Sequence, residues 1–428
     1  MKALVLCLAA LCLLPRARSA PPNIVYIISD DHAWTDYGFM GHPEIRTPRI
    51  DRLAAESLVF TRGYVPSSVC CPSLATIITG LYPHQHGITS NDPPMGDAKG
   101  PGRYQLPAFK EGREKMNRLL ERYPTLPKLL AAEGYLSFQS GKWWQGHFSR
   151  GGFTHGMTTG QRHGDAGLDI GRKSMEPIRG FIADAKSQKK PFLVWYAPLL
   201  PHDPHTPPPD LLEKYRPTTP SIHVARYRAM VEWFDRTCGE LLDELESAGV
   251  ADNTIVVYLA DNGWIQNPKS PHPPLRSKMT QYDAGLRTPI LIRWPGKLAP
   301  ARHDTPVSSV DLMPTLLNAV GLPRPEGLPG VDLRDPAAVS ARKFVTGACF
   351  THDAVDLDVP AASLRYRWIT DGNRKLILPD ARNVKDGQIE LYDVKQDPAE
   401  TRNLAAEQAD EVARLKAALD DWWKPERE

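Results

Sequence analysis

The sequence predicts an α/β protein built on a large mixed, mostly parallel sheet. Three nearly uninterrupted apolar runs, at residues 23–29, 190–196 and 253–259, have the length of strands and the composition of strands buried on both faces. A helical apolar pattern at residues 227–245 leads into the third run. The chain has 428 residues, enough for one large α/β domain with a smaller domain attached.

The composition argues against several kinds of partner. The chain has 52 basic and 50 acidic residues, so its net charge is close to +2. A nearly balanced charge gives no reason to expect binding to nucleic acid or to a membrane surface. Proline is abundant, with 41 residues, but apolar residues still make up 41% of the chain, which favours rigid loops over disorder.

The first 19 residues have the pattern of a secretory signal. A lysine precedes an apolar run at residues 3–14, and small residues follow at Ala17 and Ser19. The run is too short to span a bilayer, and the alternative is a buried first helix. We therefore predict a signal peptide at residues 1–19, export to the periplasm or the medium, and no stable membrane insertion. The cysteines that remain are too few for a disulfide framework: Cys70, Cys71, Cys238 and Cys349.

Oxygen ligands follow the first and the third apolar runs. The first run ends in Asp30 and Asp31, and the third is followed by Asp261 and Asn262. Taken alone, paired aspartates after a strand are more often a turn or a helix cap. If the two strands are neighbours, however, these side chains form one site at the carboxyl edge of the sheet. Such oxygen atoms select calcium or magnesium, and we favour calcium because this donor set suits a large, flexible coordination shell.

Two adjacent cysteines begin an apolar segment at residues 69–80. Cys70 and Cys71 precede Pro72, and the apolar run closes on Gly80. This pattern predicts a loop that leads into a short helix, with the proline in its first turn and the glycine past its end. A helix N-terminus favours an anion and lowers the pKa of a thiol.

This segment resembles the signature of the type I, formylglycine-dependent sulfatases of the alkaline phosphatase superfamily, Cys-x-Pro-Ser-x-x-x-x-x-Thr-Gly. The resemblance implies that Cys70 is converted to formylglycine by a maturation enzyme. It also implies an alkaline-phosphatase-like sheet sandwiched by helices. One position departs from the family, which has arginine four residues after the cysteine, whereas this chain has Leu74.

Further motifs follow in the order that the family has. The turn at residues 141–146 resembles the family's Gly-Lys-Trp-His-Leu-Gly, which makes Lys142 a sulfate ligand. The family's histidine, which assists the release of sulfate, is replaced here by Trp144, so that either His147 or another residue substitutes for it or the step runs differently. In the motif at residues 82–87, His86 either faces the substrate or braces the turn.

The remaining motifs assign three more residues through the resemblance. His202 is the general acid at the ester oxygen, His205 lies at the substrate edge, and Lys278 is a second sulfate-binding lysine. The family's metal ligands correspond to Asp30, Asp31, Cys70, Asp261 and Asn262.

The resemblance implies hydrolysis of sulfate esters, with a sulfated carbohydrate as substrate. In the family, one hydroxyl of hydrated formylglycine attacks sulfur, and the other later expels sulfate. Two alternatives stay open. One is a phosphate or phosphonate ester hydrolase of the same superfamily, and the other is a non-catalytic binder of sulfated glycans with an unmodified Cys70.

The sequence divides the mature chain into two parts. We predict a catalytic domain at residues 20–339, with a proline- and glycine-rich loop at residues 91–112 as the rim of the site. From about residue 340 short alternating runs predict a small antiparallel sheet. A terminal amphipathic helix completes a C-terminal α+β subdomain at residues 340–428.

Overall fold

The computed structural model describes residues 20–98 and 100–425, so the predicted signal peptide lies outside the described residues. Strands and helices are numbered separately in chain order. The strands are β1 (Asn23–Ser29), β2 (Leu58–Tyr64), β3 (Leu136–Gly141), β4 (His155–Gly156), β5 (Phe192–Ala197), β6 (Thr254–Ala260), β7 (Arg287–Arg293), β8 (Ala301–His303), β9 (Val307–Ser308), β10 (Val345–Phe350), β11 (Leu364–Asp371), β12 (Arg374–Pro379) and β13 (Glu390–Asp393). The helices are α1 (Pro48–Ala55), α2 (Cys70–Thr79), α3 (Pro83–His86), α4 (Pro107–Glu121), α5 (Leu126–Ala131), α6 (Glu176–Ser187), α7 (Pro209–Tyr215), α8 (Ile222–Ser247), α9 (Asp283–Leu286), α10 (Leu312–Val320), α11 (Pro336–Ala341) and α12 (Ala409–Trp422).

One large sheet organises most of the described chain. Its strand order is β4-β3-β5-β1-β6-β7-β2-β8, with β9 also paired to β2. β7 is antiparallel to both of its neighbours, and the other pairs of this sheet are parallel. The three apolar runs predicted as buried strands are β5, β1 and β6, which lie side by side. The predicted mixed, mostly parallel sheet is confirmed.

Helices cover both faces of this sheet. Along β1, Ile24, Tyr26 and Ile28 point into one apolar core, whereas Val25 and Ile27 point into the other. The first core is completed by α2, α4, α5 and α10, and the second by α1, α6 and α8. Because successive side chains of a strand point to opposite faces, only a strand covered on both sides is apolar throughout.

A second, four-stranded antiparallel sheet lies near the C-terminus, as predicted. Its order is β10-β11-β12-β13, and α12 packs on one face through Leu415 and Leu419. The other face packs Trp368 against Tyr64 of the large sheet. The boundary at residue 340 stays a prediction, and this residue lies within α11, just before β10 begins the four-stranded sheet.

Buried ion pairs also connect the two sheets. The Lys375 ammonium on β12 lies 2.8 Å from the Asp283 carboxylate and 2.9 Å from that of Glu400, and all three side chains are buried. Such groups are tolerated in a core only when their charges are paired. The four-stranded sheet therefore contacts the rest of the chain through buried ion pairs with α9 as well as through apolar side chains.

The predicted loop at residues 91–112 contains a short 3-10 turn at Pro101–Gln105, and α4 begins at Pro107, earlier than expected.

Within residues 20–98 and 100–425, no helix is long and apolar enough to cross a bilayer.

Candidate active site

The carboxyl ends of β1 and β6 bring four of the predicted site residues together. The two strands pair in parallel register, with Ser29 opposite Ala260. The backbone N–H of Asp31 donates to Asp261 Oδ1 at 3.2 Å, and Asn262 Nδ2 donates to Asp31 Oδ1 at 2.6 Å. Asp31 adopts φ of 59°, a left-handed conformation that aspartate tolerates better than most residues.

Cys70 lies at the same edge as the first residue of α2. Its Sγ donates to Asn262 Oδ1 at 3.3 Å, and the side chain is buried. Burial raises the pKa of the Cys70 thiol to about 12, although Lys142 and Lys278 act in the opposite direction. The expected lowering of this pKa by the helix N-terminus is therefore wrong for the unmodified thiol, because loss of solvation outweighs the nearby positive charge.

Two lysines neutralise the strand-end carboxylates. Lys142 Nζ lies 2.7 Å from Asp30 and 3.6 Å from Asp261 Oδ2, and Lys278 Nζ lies 2.7 Å from Asp31. The turn that delivers Lys142 depends on Gly141, which has φ of 79° and passes so close to β5 that a Cβ would lie 2.0 Å from a backbone oxygen.

Burial and charge act in opposite directions on the three carboxylates. Burial raises the pKa of Asp30 to about 6 and that of Asp261 to about 7, despite Lys142. Burial also acts to raise the pKa of Asp31, but the combined effect of Lys278, His202 and Lys142 outweighs it and holds that pKa below its usual range.

The donor set fits a hard cation. Three buried carboxylates face two ammonium groups, and Asp261 Oδ2 is buried without a hydrogen-bond donor. Donor atoms of Asp30, Asp31, Cys70 and His202 all lie within 4.8 Å of one another. Excess negative charge, an unsatisfied carboxylate oxygen and an Asn carbonyl are features that calcium and magnesium sites require.

His202 lies on the loop after β5 and faces this cluster. The loop is held at the strand end because the backbone N–H of Asp30 donates to Leu200 O at 2.9 Å. His202 Nε2 lies 3.5 Å from Asp31 Oδ2, and Nδ1 lies 2.5 Å from the Asp203 carbonyl oxygen. Burial lowers the pKa of His202 to about 4, although Asp31 opposes this effect.

The three histidines assigned to substrate binding have different surroundings. His205 packs against Tyr227 and Trp264, and the same Trp264 ring lies 5.9 Å from Lys278 Nζ. Burial lowers the pKa of His205 to about 4.

His86 and His147 are not brought into the cluster. His86 is fully buried, with Nε2 3.2 Å from Thr76 Oγ1 and Nδ1 accepting from the Ile88 backbone, so the structure favours its role as a brace for the turn. His147 is exposed, and its Nδ1 bonds Ser149.

The structure adds His163, which the sequence analysis did not single out. Its ring meets Trp144 edge-on at 4.5 Å and lies 6.0 Å from the ring of His202. A backbone hydrogen bond from Trp143 N to His163 O, at 3.1 Å, brings it there. No local pattern signals this contact, since it joins two loops that are twenty residues apart.

Comparison with known proteins identifies a family and several relatives of this chain. Residues 22–322 match the family model described as Sulfatase, and residues 275–424 match that of the N-sulphoglucosamine sulphohydrolase C-terminal region. Arylsulfatase A of Homo sapiens is 30% identical over 372 residues, which cover 74% of this chain and 68% of the relative. N-acetylgalactosamine-6-sulfatase of Mus musculus is 27% identical, covering 77% and 69%. The solved structure of Ps i-CgsB in complex with k-i-k-neocarrahexaose has a TM-score of 0.75 at 22% identity, covering 95% of this chain and 94% of that one, and so shares the fold.

Proposed function

Because this chain belongs to the sulfatase family and is a sulfuric ester hydrolase, we propose that it removes sulfate from a sulfated carbohydrate by means of a formylglycine formed at Cys70 and a bound divalent cation. The convergence of Cys70, three carboxylates, two lysines and His202 at one edge of the sheet carries this proposal. Few other arrangements place a nucleophile precursor, anion-binding cations and a proton donor together.

The proposed cation site consists of the oxygen ligands at the strand ends. Calcium is the preferred ion and magnesium the second, held by Asp30, Asp31, Asp261, Asn262 and the residue at position 70. The cation would supply positive charge that favours ionisation of the hydrated formylglycine and stabilises negative oxygens.

The chain's own residues bind the sulfate group and move the proton. Lys142 is buried and Lys278 is partly buried, both charges act on position 70, and the two side chains would hold the sulfate oxygens as negative charge develops. The imidazolium form of His202, which Asp31 favours and burial opposes, would give its Nε2 proton to the departing alcohol oxygen and become neutral, while its Nδ1–H keeps donating to the Asp203 carbonyl and so fixes the ring. The S–O bond to the alcohol breaks, and the alcohol leaves neutral.

Burial of Cys70 limits when it can be modified. The side chain is 1% exposed and begins a helix within the core. A formylglycine-generating maturation enzyme would therefore act before the chain folds. Export to the periplasm or the medium through the predicted signal at residues 1–19 belongs to the same proposal.

The carbohydrate part of the proposal has weaker but specific support. The mouse relative is named for a sulfated sugar. Near Lys278, the ring of His205 packs against Trp264, and His205 Nε2 is buried without a hydrogen-bond partner among the described residues, so it is available to a hydroxyl group of the sugar. His205 is the residue that we propose to contact the sugar.

The test is release of inorganic sulfate by protein produced together with a formylglycine-generating enzyme. We expect turnover of sulfated monosaccharides or glycosaminoglycan fragments, loss of turnover in Cys70→Ala, and retention in Cys71→Ala. Turnover of an aryl sulfate alone would count against the carbohydrate. Faster turnover of a matched phosphate ester would favour a phosphate or phosphonate hydrolase, and binding of sulfated glycan without hydrolysis would favour a binder.

A further inference from the structure

Trp144 is committed to packing and cannot take the place of the family's histidine. Its ring lies between two guanidinium groups, with Arg113 Cζ 5.2 Å and Arg162 Cζ 4.7 Å from the ring centroid. Its Nε1 is buried and has no hydrogen-bond partner among the described residues. An indole has a single N–H donor and no acceptor nitrogen, whereas the family's histidine has two ring nitrogens, so Trp144 cannot perform every function of that histidine.

His163 lies next to both Trp144 and His202. The centroid of its ring lies 4.5 Å from that of Trp144 and 6.0 Å from that of His202. His202 Nε2 in turn lies 3.5 Å from the Asp31 carboxylate. The loop that carries it is docked on the turn after β3 so closely that a Cβ on Gly164 would lie 2.5 Å from a backbone oxygen. The ring is therefore held in place by contacts of its backbone and not only by its own packing.

One hydrogen bond determines which nitrogen of His163 carries the proton. Arg162 Nη1 lies 2.7 Å from His163 Nε2. A guanidinium group has donors only, so Nε2 accepts and the hydrogen of the neutral ring is on Nδ1. Arg162 is itself fixed, because its Nε and Nη2 donate to the Asp92 carboxylate, each at 3.0 Å.

The charge around His163 favours its neutral form. Burial lowers its pKa, and so do Lys142, Arg162, His202 and Lys278. A neutral ring that keeps its Nδ1–H is a permanent hydrogen-bond donor and takes no part in proton transfer. In the proposed function, His163 therefore only donates a hydrogen bond, whereas His202 transfers the proton.

The backbone at His163 is unusual. Its φ is +71°, in the left-handed region that few non-glycine residues adopt. Glycine or asparagine would fit this conformation with less strain. Histidine is also one of the non-glycine residue types enriched at positive φ, so this backbone conformation is compatible with His163.

We propose that His163 is a further substrate-contacting residue of this site, whose Nδ1–H donates a hydrogen bond to the sulfate group and supplies a histidine donor beside Trp144, the residue that replaces the family's histidine. The inference rests on the proposed sulfatase function and adds one residue to it. The ligand chemistry is that of a sulfate monoester with oxygens held by Lys142 and Lys278 on one side and by His163 on the other.

Two variants separate the donor from the backbone. Both His163→Gly and His163→Asn accept a positive φ, but only asparagine offers an amide N–H to sulfate and an oxygen to Arg162. We expect His163→Gly to lower kcat/KM for sulfate ester hydrolysis about 100-fold, as for loss of one oxyanion donor, and His163→Asn to retain activity within about 5-fold. The exposed His155→Asn variant is the matched control and should have the activity of the wild type.

Binding of inorganic sulfate, measured by calorimetry, tests His163 separately from turnover. The dissociation constant for sulfate should rise at least about tenfold in His163→Gly and change little in His163→Asn. Both variants should keep the melting temperature of the wild type. Equal behaviour of the two variants, in turnover and in binding, would overturn the inference. A wild-type protein that binds sulfate with this dependence but hydrolyses no sulfate ester would overturn the proposed function and leave His163 as an anion ligand.

Discussion

Lys142 Nζ lies 2.7 Å from the Asp30 carboxylate and 3.6 Å from that of Asp261, so one buried ammonium is shared by the ends of two neighbouring strands. All three side chains are at most 2% exposed. A charge in such surroundings is stable only through its partners. The same lysine thus supports the fold of the strand ends, and in the proposed function it also holds an oxygen of the sulfate group.

Replacement of Lys142 with methionine should destabilise the protein. Removing one partner leaves Asp30 and Asp261 buried without it, a change that typically costs about 3–5 kcal/mol. Urea unfolding followed by fluorescence measures the loss, and the exposed Lys297→Met variant should lose almost nothing. Millimolar calcium should return part of the stability if the carboxylates hold a cation, whereas no response to calcium would contradict the proposed site.

Peptide mass spectrometry should find an aldehyde at position 70 and a thiol at position 71. Cys70 holds the first position of the Cys-x-Pro-Ser signature, which an enzyme acting before folding would recognise, whereas Cys71 holds the variable position, and its Sγ accepts from Gln145 at 3.2 Å in the folded chain. We expect Cys71→Ser to leave the conversion intact and Cys70→Ser to abolish sulfate release. A thiol at both positions, in protein made with the maturation enzyme, would show that Leu74 prevents recognition of the segment.

Local patterns predicted the elements of this fold well. The segment at residues 69–80 predicted a helix that stops before Gly80, and α2 ends at Thr79 with that glycine at φ of 69°. Start and stop signals of this kind act through neighbouring residues, so they are visible in one sequence. The apolar runs were equally informative, because only strands covered on both faces have that composition.

Properties that depend on tertiary contacts were not predictable in the same way. The sign of the pKa shift of Cys70 was wrong because the helix N-terminus is a local feature, whereas burial comes from the surrounding core. His163 was missed because its position depends on the contact of two loops. His86 could be placed as a brace only once both of its ring nitrogens were seen to be engaged.

Stability should depend on pH through Asp235. This carboxylate on α8 accepts from the backbone N–H groups of Arg49 and Ile50 at the start of α1, and burial raises its pKa to about 7. The folded state therefore binds its proton more tightly than the unfolded state, so this contribution to stability is lost as pH rises from about 4 to about 7. The free energy of unfolding of Asp235→Asn should fall less over this range than that of the wild type. The exposed Asp252→Asn variant should follow the wild type, and parallel curves for all three would contradict the assignment.

Replacement of Lys375 with methionine should separate the unfolding of the small sheet from that of the large one. Asp283 and Glu400 would lose their shared buried counter-charge, at a cost of about 3–5 kcal/mol. Calorimetry should show one transition for the wild type and a lower, broadened or split transition for the variant. The exposed Lys416→Met variant on α12 is the control. A single unshifted transition in Lys375→Met would show that the apolar contacts between the sheets suffice.

His202→Ala should discriminate between leaving groups. A sugar alcohol is a poor leaving group and needs a proton, so its sulfate ester should lose about 10²–10⁴-fold in kcat, as expected for loss of a general acid. Nitrophenolate leaves without protonation, so nitrophenyl sulfate should lose far less. His205→Ala should instead raise KM for the sugar ester and leave the response to the leaving group unchanged, because the ring of His205 packs on Tyr227 and Trp264 and is proposed to contact the sugar. Equal losses on both esters in His202→Ala would mean that His202 only positions the site and donates no proton to the alcohol.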